Sequence, residues 1–214
     1  MTTTAPQPGQ HQPYRQHPGV EVRPAVLSDP LVQPLLRELE YEYTTRYPSL
    51  AGAGRELERY PAEEFEPAHG GLLVLLLQDG EPVAGGAYRR YDAHTAELKR
   101  IWTHSAHRRR GLARRVVHEL EQAAAAAGYR RVYLTTGPRQ PEAKGLYLVT
   151  GYTALFDLAA DPETLGGPLP FAKSLTGTEP VRPGDFRPTP RVDFGGRRPR
   201  AAADPDRAGE PAEE

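Results

Sequence analysis

The sequence predicts an α/β domain, a mixed sheet packed by helices, at residues 19–176 between two tails. Three observations predict it. Strand-like and helix-like segments alternate there in the order β-α-α-β-β-β-α-β-α-β-β. One clear amphipathic helix carries Leu112, Val116, Leu120 and Ala124 on a single stripe, between two strand candidates. Those strands should be parallel, joined by a right-handed crossover. Proline gathers at the ends, at Pro6, Pro8, Pro13 and Pro18, and at Pro180, Pro183, Pro188, Pro190, Pro199, Pro205 and Pro211. Residues 1–18 and the Pro/Arg-rich 177–214 are therefore expected to be disordered, since they bury too little surface to offset the entropy of ordering.

The elements follow in chain order. Val20–Arg23 reads as a short strand. Leu31, Leu35, Leu36, Leu39 and Tyr43 share one helical face within Leu31–Tyr47. Ser28 or Asp29 can cap that helix, Pro34 delays its regular turns, and Pro48 stops it. Leu50–Tyr60 is a weaker helix candidate. The apolar run Leu72–Leu77 meets Asp79-Gly80, a tight-turn signal, so Val83–Tyr91 returns as the next strand. Gly85-Gly86 inside that strand marks a bulge or a close backbone approach. Ala96–Thr103 is a strand. Gly111–Ala127 is the striped helix, ended by a left-handed Gly128. Arg131–Thr136 is a strand, Glu142–Thr150 a helix closed by Gly151, and Tyr152–Leu158 and Phe171–Leu175 the last strands.

Composition narrows the function. The 214 residues hold no cysteine, which removes disulfides, thiolate metal sites and a cysteine acyl-enzyme. The net charge is −1, so no global polycation is present to hold nucleic acid. Leu72–Leu77 falls far short of the roughly 20 apolar residues that span a bilayer, so no membrane association is expected. The start MTTTAPQPGQHQP has no apolar stretch of a signal peptide, and a cytoplasmic location is expected. The basic cluster Arg191, Arg197, Arg198 and Arg200 reads as part of a solvated tail.

The informative segment is Ala96–Tyr152. A strand runs into Arg108-Arg109-Arg110-Gly111-Leu112-Ala113, where a helix opens. Helix starts expose unpaired N–H groups and a positive dipole end, which suits an anion. Gly111 and Ala113 keep the backbone bare, and Arg108, Arg109, Arg110, Arg114 and Arg115 crowd the turn. Arginine suits phosphate because its planar fork donates two parallel hydrogen bonds. Neither the G-x-G-x-x-G spacing nor the G-K-[ST] ending of a P-loop is present. By itself this turn also suits an Arg-rich module for nucleic acid or another polyanion. The near-neutral charge and the lack of aromatics among the arginines oppose that reading.

The segment resembles the GNAT superfamily of acyl-CoA N-acyltransferases. Arg108-x-x-Gly111-x-Ala113 matches the R/Q-x-x-G-x-G/A pattern that cradles the coenzyme A diphosphate there. Gln140-x-x-Ala143-x-x-x-Tyr147 followed by Gly151-Tyr152 matches N-x-x-A-x-x-x-Y and G-F/Y, with Gln140 in place of asparagine. Glu97-Leu98-Lys99-Arg100 stands where many members carry E-L-K-R on the fourth strand. The resemblance implies the GNAT fold and acetyl-CoA as co-substrate, with no metal and an amine attacking the thioester directly. It implies coenzyme contacts at Ile101, Trp102, Thr103, Arg108, Arg109, Arg110, Gly111, Leu112, Ala113, Gln140 and Ala143. It also implies Tyr147 as general acid for the leaving thiolate and Glu97 as base, acting directly or through water. Glu38 and Glu40 are weaker base candidates, and Glu40-Tyr41-Glu42-Tyr43 a stretch able to line an amine pocket. His104-x-x-His107 invites a metal reading that its loose spacing does not support. A small-molecule amine is the expected acceptor, and a homodimer is compatible because dimers are common in the superfamily. An acyl-CoA-binding protein that has lost transfer is the alternative.

Overall fold

The computed structural model describes residues 19–48, 57, 59–177, 181–182 and 186. Among these residues seven strands form one mixed sheet: β1 Val20–Ala25, β2 Leu72–Gln78, β3 Glu81–Arg90, β4 Thr95–Thr103, β5 Arg131–Thr136, β6 Thr153–Ala154 and β7 Leu169–Ser174. Of the described residues, three α-helices pack on it: α1 Gln33–Arg46, α2 Leu112–Ala126 and α3 Pro141–Val149. The strand order is β1-β2-β3-β4-β5-β7-β6, and only β4 and β5 run parallel. Among the described residues no helix is long and apolar enough to cross a membrane.

Local chemistry accounts for the elements. Asp29 accepts a hydrogen bond from the Leu31 N–H at 2.9 Å and starts a 3-10 turn, Pro30–Val32. With Pro34 in its first turn, the regular helix begins only at Gln33. Gly128 ends α2 at φ 91°, with the Tyr129 N–H bonded to the Ala124 carbonyl and the Gly128 N–H to Ala125. Two apolar layers flank the sheet. Tyr88, Leu98, Val116, Leu120, Leu134 and Tyr147 lie on the α2–α3 face, and Val32, Leu35, Leu39, Phe65, Leu75 and Trp102 on the α1 face.

Both readings of Gly85-Gly86 hold. Gly85 pairs with Trp102 and Ala87 with Lys99, so β4 carries an extra residue opposite Gly86. Arg100 takes it up in left-handed backbone, φ 59°. A Cβ on Gly86 would come within 2.7 Å of Ile101 and 2.8 Å of Val116.

Other boundaries differ from the sequence-based expectation. The strand expected over Tyr152–Leu158 is reduced to Thr153–Ala154. Asp157 ends it, accepting the Ala159 N–H on its side chain and the Ala160 N–H on its carbonyl. The weak helix Leu50–Tyr60 lies mostly outside the described residues; Leu57, Arg59 and Tyr60 are turn and bend. Packing continues beyond 176. Phe186, 7% exposed, stacks on Tyr133 with ring centroids 5.0 Å apart and joins Tyr91, Ala172 and Val181. Tail residues 1–18, and most of those after 177, lie outside the described residues.

Candidate active site

β4 and β5 pair only over Thr95–Glu97 and Arg131–Tyr133. β4 then runs on to Thr103 and β5 to Thr136, so a gap opens between parallel neighbours. The β4 wall of this gap has spare polar groups. The His104 N–H bonds the Val83 carbonyl at 3.0 Å, so antiparallel alternation turns the Thr103 N–H and C=O away from β3, toward the gap. The Thr103 hydroxyl is buried and has no hydrogen-bond partner among the described residues. Ile101 is half-buried and Trp102 buried, its Nε1 donating to Glu38 Oε2 at 3.0 Å. Such a wall fits an extended ligand arm with amide groups.

At its open end the gap meets the basic turn. Ser105–His107 forms a 3-10 turn, Arg109 and Gly111 are left-handed at φ 62° and 82°, and α2 starts at Leu112. Among the described residues no side chain caps this helix start. Arg108, Arg109, Arg110 and Gly111 are exposed, Leu112 is buried in the core and Ala113 half-buried. A bare helix start that follows three exposed arginines fits a diphosphate.

Helix α1 lies across this opening and ties both loops. Glu42 accepts from Arg108 Nη2 at 3.2 Å and from Gln140 Nε2 at 3.1 Å, with Arg46 Nη2 3.5 Å away. Arg46 also donates to the Arg139 carbonyl at 2.6 Å and pairs with Glu142. Tyr47 accepts the Arg139 N–H on its hydroxyl. One turn earlier, Glu38 accepts from the Ser105 N–H at 3.0 Å and the Ser105 hydroxyl at 2.9 Å. Burial opposes charge on Glu38, but the bonds from Ser105 and Trp102, with His104 nearby, hold its carboxyl below the usual carboxylate range. A cavity of about 320 Å³ lies here, lined by Glu38, Tyr41, Glu42, Thr45, Arg46, Ser105 and Arg108.

The expected site residues thus fall into three groups. Ile101, Trp102, Thr103 and Arg108 through Ala113 form the gap wall and the basic turn. Gln140 stands at the mouth, but its amide is engaged by the protein: Oε1 accepts from the Thr136 hydroxyl and the Gly137 N–H, both at 2.9 Å, while Nε2 serves Glu42. Ala143 packs against the core. Tyr147 and Glu97 lie on opposite faces. Tyr147 is buried against Tyr152 and Phe171, and burial pushes its phenol well above the ordinary value. Glu97 is fully buried on the α1 side, 2.7 Å from Arg89 and 3.0 Å from Lys99. Glu64 also pairs with Arg89, and the Tyr60 ring lies 4.2 Å below that guanidinium.

Of the weaker candidates, Glu38, Tyr41 and Glu42 line the cavity, whereas Glu40 is exposed and Tyr43 packs in the α1-side core. His104 accepts the Ala106 N–H on Nδ1, which leaves Nε2 toward Glu38, 3.7 Å away. Among the described residues no three His, Asp or Glu side chains gather as metal ligands would. Sequence reasoning missed Arg89, Arg46 and Tyr47. Arg89 was within reach of it: counting back from the Tyr91–Thr95 turn places Arg89 opposite Glu97. Glu42 and Arg46 stand four apart on α1, a local pairing signal, whereas the contacts of Arg46 and Tyr47 with Arg139 lie more than ninety residues away.

Comparison with known proteins agrees with this architecture. A family model described as the acetyltransferase (GNAT) family matches residues 35–152. An acetyltransferase from Streptococcus agalactiae is similar over 74% of this chain and 99% of its own, with 18% identity and a TM-score of 0.54. A GNAT-family acetyltransferase from Staphylococcus aureus covers 73% and 99%, with 14% identity and a TM-score of 0.56. The PaiA N-acetyltransferase of Thermoplasma acidophilum, solved in complex with coenzyme A, covers 72% and 98%, with 13% identity and a TM-score of 0.55. No curated protein matches the sequence significantly.

Proposed function

Because this chain belongs to the GNAT acetyltransferase family, we propose that it is an N-acetyltransferase moving the acetyl group of acetyl-CoA to the primary amine of a small-molecule acceptor. The observation that carries this reading is the gap between β4 and β5, open at the uncapped start of α2, with the exposed Arg108, Arg109 and Arg110 in the turn before it. Acetyl-CoA supplies an acyl group already activated as a thioester.

The chain's own residues divide the work. Arg108, Arg109 and Arg110 with the N–H groups of Gly111, Leu112 and Ala113 hold the diphosphate. Main-chain groups along Ile101–Thr103, with those of Thr103 turned to the gap, align the pantetheine arm, and one N–H there donates to the carbonyl oxygen as negative charge develops. Gln140 and Ala143 shape the opposite wall. Tyr147 holds a proton for the thiolate; its burial keeps the phenol protonated at neutral pH. Glu97 takes the ammonium proton through water, since its carboxylate is buried between Arg89 and Lys99.

That same burial favours one second reading, an acyl-CoA-binding protein of this fold without transfer. Thiol release from acetyl-CoA across an amine library, run beside calorimetry with coenzyme A, separates the two. Thiol release with any amine supports the transferase. Binding without release across the whole library supports the second reading, and no binding rejects both. A location in the cytoplasm and a homodimer accompany the proposal; fractionation and light scattering test them.

A further inference from the structure

Glu42 holds together the parts that the coenzyme must separate. Its Oε2 faces Arg108 of the basic turn, and its Oε1 faces Gln140 of the β5–α3 loop. Both contacts cross the open end of the gap, and both come from α1. We infer that Glu42 is a stand-in anion for the coenzyme diphosphate: it keeps Arg108 folded over the mouth until the incoming diphosphate exchanges for its carboxylate. The inference rests on the acyl-CoA reading above.

Three features make the exchange inexpensive. The Arg108 side chain is 49% exposed, so it swings through solvent rather than through packed atoms. Glu42 retains Arg46, one helical turn away at 3.5 Å, so its charge is not stranded when Arg108 leaves. A diphosphate offers the guanidinium more acceptor oxygens than one carboxylate, and the N–H groups of the α2 start add to its hold. Glu42 thereby sets how tightly the coenzyme is bound without touching it. It also links the coenzyme turn to the cavity that it lines with Glu38 and Tyr41.

Calorimetry with coenzyme A on the full chain tests this, using the wild type, Glu42→Gln, Glu42→Asp, Arg108→Ala and the Glu42→Gln/Arg108→Ala pair. Freeing Arg108 from an exposed ion pair should tighten binding about two- to fivefold in Glu42→Gln. Glu42→Asp, which keeps the charge but withdraws it from Arg108, should tighten binding in the same direction. In the Arg108→Ala background, Glu42→Gln should change nothing. The inference is overturned if Glu42→Gln binds no tighter than wild type. It is equally overturned if the gain persists without Arg108, or if Glu42→Asp shows none, because plain charge repulsion then explains the effect. If wild type binds and Arg108→Ala weakens binding while Glu42→Gln is silent, only the stand-in falls. If no variant binds coenzyme A, the acyl-CoA reading falls with it.

Discussion

The two ends of the β4–β5 gap use the same ionic chemistry to opposite effect. At the closed end, Arg89, Glu97, Lys99 and Glu64 are matched within and beside the sheet, with Glu97 wholly out of water. At the open end, Arg108–Glu42 and Arg46–Glu142 join separate elements at the protein surface. A buried charge is costly to leave without its partner, whereas an exposed pair contributes little and is easily exchanged. The closed end is therefore built to stay, and the open end to be exchanged for a ligand.

The largest expected effect breaks the closed end. Glu97→Ala takes from Arg89 and Lys99, both half-buried, the carboxylate they share; with Glu64 still on Arg89 it should destabilise the fold by about 3 kcal/mol, read as a drop in denaturation midpoint. Next comes Tyr147, buried on the α2–α3 face of the sheet. Tyr147→Phe should lower kcat about 100-fold while changing stability by less than about 1 kcal/mol; an unchanged kcat across pH would make the hydroxyl idle. At the open end, Arg108→Ala should weaken coenzyme A binding about tenfold, with little change in melting temperature. A loss of stability there instead would erase the contrast between the ends.

Two pH effects sharpen the comparison further. Burial raises the phenol of Tyr147, and burial with the nearby Glu121 carboxylate raises that of Tyr152. Their contribution to stability is complete below the ordinary phenol value of about 10 and is lost as pH rises beyond it. Alkaline melting curves of Tyr147→Phe and Tyr152→Phe should therefore fall less steeply than that of wild type. The smallest effect concerns Glu38, whose carboxyl is held below the usual range. Its contribution is present above the ordinary value of about 4.3 and is lost as pH falls. Glu38→Gln should flatten the acid limb slightly.

The closed core was more legible in the sequence than the mouth. Period and turn chemistry located the β2–β3 hairpin, the α2 stripe, the parallel β4–β5 pair and the bulge at Gly85-Gly86, because each is encoded within a few residues. The basic turn was visible for the same reason. The burial of Glu97 was not, since a carboxylate on a two-sided strand is hidden only by side chains from β3 and from the segment before β2. Glu42, Arg108 and Gln140 were each singled out, but the contacts that join them were equally invisible, because they span sixty to a hundred residues. The seven-strand sheet followed from order alone, but β6 fell short because Asp157 turns the chain early.

Phe186 carries a practical corollary for anyone trimming this protein. A version stopped at 176 would remove the ring stacked on Tyr133 and bare an aromatic face beside the Glu97 cluster. Burying a phenylalanine is worth about 1.5–3 kcal/mol, so such a truncation would forfeit cohesion and gain a sticky patch at once. A version that keeps this packing therefore runs at least to 186.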